Sequence, residues 1–201
     1  MRRTVWTVVA TLAATVLAAS ALRAANPPIR TAQSSVAKFT VTSTNISPGG
    51  KIADAQVYNG FGCKGGNISP ELSWSGAPAG TKSFAILMHD PDAPTGSGWW
   101  HWVVYNIPAT VRTVSSLPAG AGDPKKSLLP AGALQGRTDF GDPGYGGPCP
   151  PPGKPHRYYV RVYALKVEKL EVPADATAAF VGFSVRMHAL ATAELMGTYG
   201  R

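Results

Sequence analysis

The chain has 201 residues, of which 44% are hydrophobic and 15% charged, and it contains 22 glycines and 18 prolines. This composition indicates a folded chain of one domain, and it excludes a coiled coil because Gly and Pro weaken helix interiors. The net charge of +8 comes from scattered basic residues, so we expect no nucleic-acid partner.

The N-terminus is typical of a secretory signal peptide. Arg2 and Arg3 precede an apolar run from Val5 to Leu22, and small residues follow. Several cleavage positions between Ala21 and Ala25 fit the small-residue rule. The alternative is an uncleaved anchor helix, because the run approaches the length that spans a bilayer.

We therefore divide the chain into a signal peptide over residues 1–25, a tether over 26–37 and one domain over 38–201. Cleavage would leave a net charge of about +5, a mild bias towards anionic partners. We expect the mature domain to be exported, to the periplasm or outside the cell, with no stable membrane insertion.

Cys63 and Cys149 are the two cysteines of the chain. Export would place them in an oxidising compartment, which favours a Cys63–Cys149 disulfide. Two free buried thiols and an intermolecular bridge are the alternatives, since spacing does not tell whether the sulfurs meet.

The predicted elements are mainly strands. Short segments rich in β-branched and aromatic residues, bounded by Gly, Pro, Asn and Asp, predict strands. They lie at Lys38–Thr44, Glu71–Trp74, Ser83–His89, His101–Ile107 and Tyr158–Leu165. Because Gly- and Pro-rich loops rather than helices join them, we predict a mainly β fold, an antiparallel β-sandwich.

The C-terminal part predicts helix instead. Asp175 is a candidate cap for a short helix ending at Val181, and Ser184–Met196 has apolar residues at three- and four-residue steps. Gly197 follows as a stop. We expect a C-terminal α-helix that packs on one sheet.

The candidate site residues lie at the ends of two Pro-rich loops, one before His101 and one before His156. If the strands at 83–89 and 101–107 form a hairpin, Asp90 and His101 flank its open end. His156 begins a third strand, and Tyr158 points to the same face two residues later. A pocket with a carboxylate, two imidazoles and a phenol, walled by Trp100, its neighbouring tryptophans and prolines, suits a small anion.

Other chemistries have less support in the sequence. There is no nucleophile elbow, phosphate-binding loop or dinucleotide fingerprint. A site of two histidines and one carboxylate is the alternative for a metal, but the spacing is loose. We expect no metal, no cofactor and no enzyme activity.

Five motifs follow one another along the chain. They are Asn67-Ile68-Ser69-Pro70, Asp90-Pro91-Asp92-Ala93-Pro94, Gly98-Trp99-Trp100-His101-Trp102, Tyr145-Gly146-Gly147-Pro148-Cys149-Pro150-Pro151 and His156-Arg157-Tyr158. These motifs resemble those of the phosphatidylethanolamine-binding protein family, in its bacterial Raf-kinase-inhibitor-like branch. The resemblance runs from about Phe39 to Tyr199.

This resemblance implies a β-sandwich with a small anion pocket near one end. It assigns the pocket residues to Asp90, His101, His156 and Tyr158, with a proline at Pro150 or Pro151, of which we choose Pro151. It also implies phosphorylated head groups or small oxyanions as ligands, and a homodimer.

Three functional hypotheses follow. The first is an exported, non-enzymatic binding protein for a phosphate- or carboxylate-bearing ligand, with both imidazoles donating as cations. The second is an interaction module that inhibits a protease or a kinase-like partner through its loops. The third, an enzyme with His101 or His156 as general base, lacks an activated nucleophile.

Overall fold

The computed structural model describes residues 38–109 and 115–201. The predicted signal peptide and tether lie outside the described residues. The described part contains the strands β1 Thr40–Thr42, β2 Asn59–Gly60, β3 Cys63–Lys64, β4 Leu72–Ser75, β5 Ser83–Asp90, β6 Trp99–Pro108, β7 Ser116–Leu117, β8 Leu134–Gln135, β9 His156–Leu165 and β10 Ala189–Tyr199, and the helix α1 Ala178–His188.

The predicted antiparallel β-sandwich is confirmed. A five-stranded sheet has the order β10-β9-β5-β6-β8, a three-stranded sheet has the order β1-β4-β7, and β2 and β3 form a separate pair. All five predicted strands are present, and β5 and β6 pair as the expected hairpin. This hairpin places the end of β5 and the start of β6 beside the start of β9, which also pairs with β5.

The large sheet is buried on both faces, so the molecule has three layers. Along β5, Phe84, Ile86 and Met88 pack into the core between the two sheets. Ala85 and Leu87 point the other way and pack against α1 with Val181 and Val185. Because side chains alternate along a strand, each position near the end of β5 has a defined face.

The predicted helix at 184–196 is wrong in extent. The chain forms α1 over Ala178–His188, capped by the Thr177 hydroxyl, which accepts from the Phe180 N–H at 3.2 Å, rather than by Asp175. From Ala189 it continues as β10 along β9. Ala193, Leu195 and Gly197 are buried at every second position, a strand pattern that pairing with β9 selects over the helical one.

One face of α1 is exposed and apolar, with Phe180, Phe183 and Met187 largely accessible. The helix is too short to cross a bilayer, and no other helix within residues 38–109 and 115–201 has the length and apolar character for it.

The Cys63–Cys149 disulfide is present, with Cα atoms 6.0 Å apart. It joins β3 to the proline-rich loop that precedes β9. The bond therefore closes a large loop of the chain, since its two cysteines are 86 positions apart.

Candidate functional site

A cavity of about 180 Å³ opens at one end of the large sheet, on the face that meets the small sheet. It is smaller than the roughly 300–1,000 Å³ of pockets for drug-sized ligands, so it suits a small group. Its lining residues are Phe61, Asp90, Ala93, Pro94, Thr95, Trp99, His101, Phe140, Cys149, Pro150, Pro151, His156 and Tyr158. Five of the six predicted ligand-binding residues are among them, the exception being Trp100.

Asp90 and His156 form a hydrogen-bonded pair in the cavity wall. The His156 Nδ1 atom lies 2.7 Å from Asp90 Oδ2, and both side chains are largely buried. The other carboxylate oxygen accepts from the backbone N–H groups of Asp92 and Ala93, at 2.8 and 3.1 Å. Since a carboxylate accepts, Nδ1 carries the hydrogen, and this orients the imidazole with Nε2 as its remaining polar atom.

A β-bulge turns His101 towards the same cavity. Met88 pairs with Trp102 and His89 pairs with Trp100, which leaves His101 as the extra residue of β6. Such a bulge re-aims side chains locally. As a result, His101 and Trp102 both face the side of the sheet that carries the cavity, although they are consecutive residues.

The loop at Gly146 holds His101 by two hydrogen bonds, one to its ring and one to its backbone. His101 Nδ1 lies 2.7 Å from the Gly146 carbonyl oxygen, and the Gly146 N–H donates to the His101 carbonyl at 2.9 Å. Gly146 has no Cβ, and one there would overlap the Phe140 ring. The close approach therefore requires glycine.

Asn67 holds this loop from the other side. Its side-chain amide donates to the Tyr145 carbonyl at 3.1 Å, and its side-chain oxygen accepts from the Gly147 N–H at 2.8 Å. Sequence reasoning did not identify Asn67 as a site residue. Its role is positioning, because it orients the loop that orients His101.

Two buried polar atoms of the site have no hydrogen-bond partner among the described residues. They are the Nε2 atom of His101 and the hydroxyl of Tyr158. The two rings contact each other edge to face, with centroids 5.1 Å apart. Buried polar groups are nearly always hydrogen-bonded, so an unpartnered pair beside a cavity points to a ligand or water.

His101 is neutral at pH 7. Burial lowers its pKa to about 4, although the Gly146 carbonyl and Asp90 act in the opposite direction. The expectation that both imidazoles donate as cations is therefore wrong for His101. Burial, with Asp90 nearby, also raises the pKa of the Tyr158 hydroxyl, which remains a donor.

Trp100 does not line the cavity, contrary to the prediction. Its ring lies on the opposite face of the sheet, against His89 at 4.3 Å between centroids and with the cluster under α1. Trp99 takes the predicted place, since alternation along β6 puts residues 99 and 101 on one face. Trp99 contacts Phe140 edge to face at 5.4 Å.

The mouth of the cavity is aromatic. Phe61 is 65% exposed and stacks on Phe140, with centroids 5.9 Å apart. Neither was predicted as a site residue. Phe61 stands two positions before Cys63, so the predicted disulfide was a usable signal that it lies near the loop of Pro150 and Pro151, both of which line the cavity.

Asp92 anchors the loop outside the cavity. Arg157 donates to both of its carboxylate oxygens, at 2.9 and 2.7 Å, and holds the pKa of Asp92 at about 2. This ion pair ties the loop after β5 to β9. Arg157 does not line the cavity, and no lysine or arginine is among the described lining residues.

A metal is not required to explain the arrangement of these side chains. Within the described ranges no three His, Cys, Asp or Glu side chains are grouped as metal ligands. The fold and site thus define a β-sandwich with a small polar-floored cavity at one end of its central sheet.

Comparison with known proteins places this architecture in a family. The model of the family described as phosphatidylethanolamine-binding protein matches residues 42–200. The UPF0098 protein YbcL of Escherichia coli strain K12 is 54% identical over 164 residues, covering 81% of this chain and 88% of the relative. YbhB of the same strain is 49% identical, covering 78% and 97%.

Solved structures agree with the sequence matches. The crystal structure of E. coli YbcL, described as a member of the mammalian PEBP family, superposes with a TM-score of 0.78 at 53% identity and covers 82% of this chain and 99% of that one. A homologue from Chlamydia trachomatis gives 0.66 at 36% identity, covering 81% and 97%. The chain belongs to the phosphatidylethanolamine-binding protein family.

Proposed function

We propose that this protein is an exported, non-enzymatic binding protein for a small phosphate- or carboxylate-bearing ligand. The observation that carries the proposal is the pair of unpartnered buried atoms, His101 Nε2 and the Tyr158 hydroxyl, in the wall of a small cavity. A ligand oxyanion would accept from Tyr158, and from His156 once its Nε2 is protonated. Asp90 would hold His156 in the orientation for this contact.

The disulfide supports export. A disulfide indicates an oxidising, non-cytoplasmic environment, because cytosolic thiols are kept reduced. The signal peptide predicted over residues 1–25 accounts for how the chain would reach such an environment.

The composition of the cavity supports binding rather than catalysis. Its described lining offers no serine, its cysteine is locked in the disulfide, and the hydroxyl of its threonine, Thr95, donates to the Gly98 carbonyl. The imidazole of His101 is held by a backbone carbonyl and does not contact a hydroxyl that it would activate. A bound ligand would therefore be released unchanged.

Replacing Tyr158 with Phe tests the proposal. We expect the Tyr158→Phe variant to bind phosphate and phosphorylethanolamine at least tenfold more weakly, because a donor to a charged group is lost. We also expect its free energy of unfolding to be unchanged or higher, because the unliganded protein loses a buried hydroxyl that has no partner. NMR titration gives the affinity and urea denaturation gives the stability.

Tyr145→Phe is the matched control. The Tyr145 hydroxyl is also buried, but it donates to the Gln56 carbonyl at 2.9 Å and does not line the cavity. This variant should lose about 1 kcal/mol of stability and keep its affinity. The proposal fails if neither anion binds the wild-type protein at millimolar concentration, or if both variants bind alike.

The homodimer and a protease or kinase-like partner stay predictions. The exposed apolar residues Phe180, Phe183 and Met187 of α1 offer a surface on which a protein partner would bury apolar area. Light scattering of the purified domain checks the dimer, and affinity capture from a periplasmic extract with the Phe183→Glu variant as control checks the partner.

A further inference from the structure

The floor of the cavity contains a hydrogen-bond acceptor as well as donors. The Gly146 carbonyl can only accept, so the His101 Nδ1 atom 2.7 Å away must donate to it. A neutral imidazole has one donor and one acceptor nitrogen. The unpartnered Nε2 of His101 is therefore an acceptor, and it needs a donor from whatever occupies the cavity.

Tyr158 does not supply that donor. No hydrogen bond joins its hydroxyl to His101 Nε2. The Asp90 carboxylate is near enough to the hydroxyl to raise its pKa, but no acceptor among the described residues lies at hydrogen-bond distance and angle from it. The floor thus presents one acceptor and one donor side by side. A group that complements both must itself carry a hydroxyl and an acceptor oxygen.

The charges around the cavity lead to the same requirement. Asp90 from β5 raises the pKa of His101, and His89, on the opposite face of the sheet, lowers it. Tyr158 from β9 contacts the His101 ring, and His156 lines the same cavity. No lysine or arginine is among the described lining residues, and the Asp90 carboxylate offsets a protonated His156. A dianion would meet no excess of positive charge here.

The mouth of the cavity is apolar, with Phe61, Trp99 and Phe140 at its rim. A substituent on a group bound at the floor would extend outwards between these three rings. Aromatic side chains contact flat apolar groups favourably.

We propose that the cavity selects a phosphate- or phosphonate-type monoanion that keeps one P–OH group, donates this hydroxyl to His101 Nε2, accepts from Tyr158, and carries an apolar substituent towards the aromatic rim. This inference rests on the proposed function and specifies the protonation state and shape of its ligand. The burial that lowers the pKa of His101 keeps Nε2 an acceptor at neutral pH.

Two isosteric probes test the inference on the wild-type protein. At pH 5.5 phenylphosphonate and benzenesulfonate are both monoanions of similar shape, but only phenylphosphonate has an O–H group. We expect phenylphosphonate to bind at least tenfold more tightly, because the sulfonate leaves His101 Nε2 unpartnered and faces its lone pair with an oxygen. Isothermal titration calorimetry gives both affinities.

A second measurement follows the proton itself. At pH 8 phenylphosphonate is a dianion, so its binding should take up about one proton per site more than the binding of benzenesulfonate, and equal uptake would overturn the inference. Calorimetry in two buffers of different ionisation enthalpy measures this uptake. Benzenesulfonate should take up fewer protons than phenylphosphonate, since it gains none of its own.

The outcomes separate this inference from the proposed function. Equal affinity of the two probes, with saturable binding of both, would overturn the inference and leave an anion-binding site. Binding of neither probe, nor of phosphate, would overturn the proposed function itself. The Tyr158→Phe variant should weaken both probes by a similar factor, whereas His101→Leu should weaken only phenylphosphonate.

Discussion

Replacing Cys63 and Cys149 together with alanine is expected to lower the free energy of unfolding by about 4 kcal/mol. The disulfide joins residues 86 positions apart. Breaking it releases a long loop in the unfolded chain, and the gain in unfolded-state entropy grows with loop length. Urea denaturation of the oxidised protein and the double variant measures the difference.

The single variants serve as the control for this prediction. Cys63→Ala and Cys149→Ala each break the same bond, so each should cost nearly as much as the double substitution. Additive losses from the two single variants would mean that the thiols act independently, which contradicts the prediction. Because Cys149 lines the cavity and Phe61 lies close to Cys63, we also expect weaker binding of phenylphosphonate in the double variant.

Acidification from pH 7 to pH 4 is expected to remove about 3 kcal/mol of stability through His101 alone. Its pKa is about 4 in the folded protein, against 6.5 as the ordinary value. Between these two pH values, therefore, His101 is protonated in the unfolded chain and neutral in the folded chain. The stabilising contribution is complete above about pH 6.5 and is lost as the pH falls towards 4.

Asp92 and His89 also contribute to the pH dependence of stability. Arg157 lowers the pKa of Asp92 to about 2, so its contribution is lost at lower pH than that of His101. Burial lowers the pKa of His89 as well, in the same direction as for His101. The variant His89→Gln measures that share and is the matched control, because the Gln amide lies where His89 Nε2 contacts the Ser97 carbonyl.

Denaturation curves between pH 4 and 7.5 check the prediction. The His101→Asn variant should show a flatter dependence on pH than the wild-type protein, since the Asn amide lies where Nδ1 lies and can still donate to the Gly146 carbonyl, but it does not titrate. An NMR titration of the wild-type His101 ring needs no variant. A measured pKa near 6.5 would contradict the prediction.

Much of the site is determined by the sequence itself. Asp90 ends one strand, and His101 and His156 lie at the starts of two others, so the pairing of β5 with β6 and β9 brings them together. Alternation along β9 puts His156 and Tyr158 on one face. The β5–β6 hairpin and the alternation along β9 depend on local periodicity and on one short loop, and both can be recognised in a single sequence. The pairing of β5 with β9 is decided by the tertiary structure, since it joins Asp90 and His156 across 66 positions.

The extent of α1 and the position of Trp100 depend on the tertiary structure. The segment at 189–196 has apolar residues compatible with both a helix and a strand, and hydrogen bonding to β9 decides for the strand. The bulge at His101 exists because β5 has one residue fewer than β6 at that point of their pairing. A residue's neighbours in sequence do not reveal such a mismatch.

The protonation state of the site likewise depends on contacts made by distant segments. The order of residues shows that His101 lies near Asp90, but it does not show that the Gly146 carbonyl, 45 positions away, accepts from Nδ1. That contact and the burial of the ring make Nε2 an acceptor. The sequence thus determines which groups meet in the cavity, whereas the packing of loops around them decides which donate and which accept, because solvation and hydrogen-bond partners are set in three dimensions.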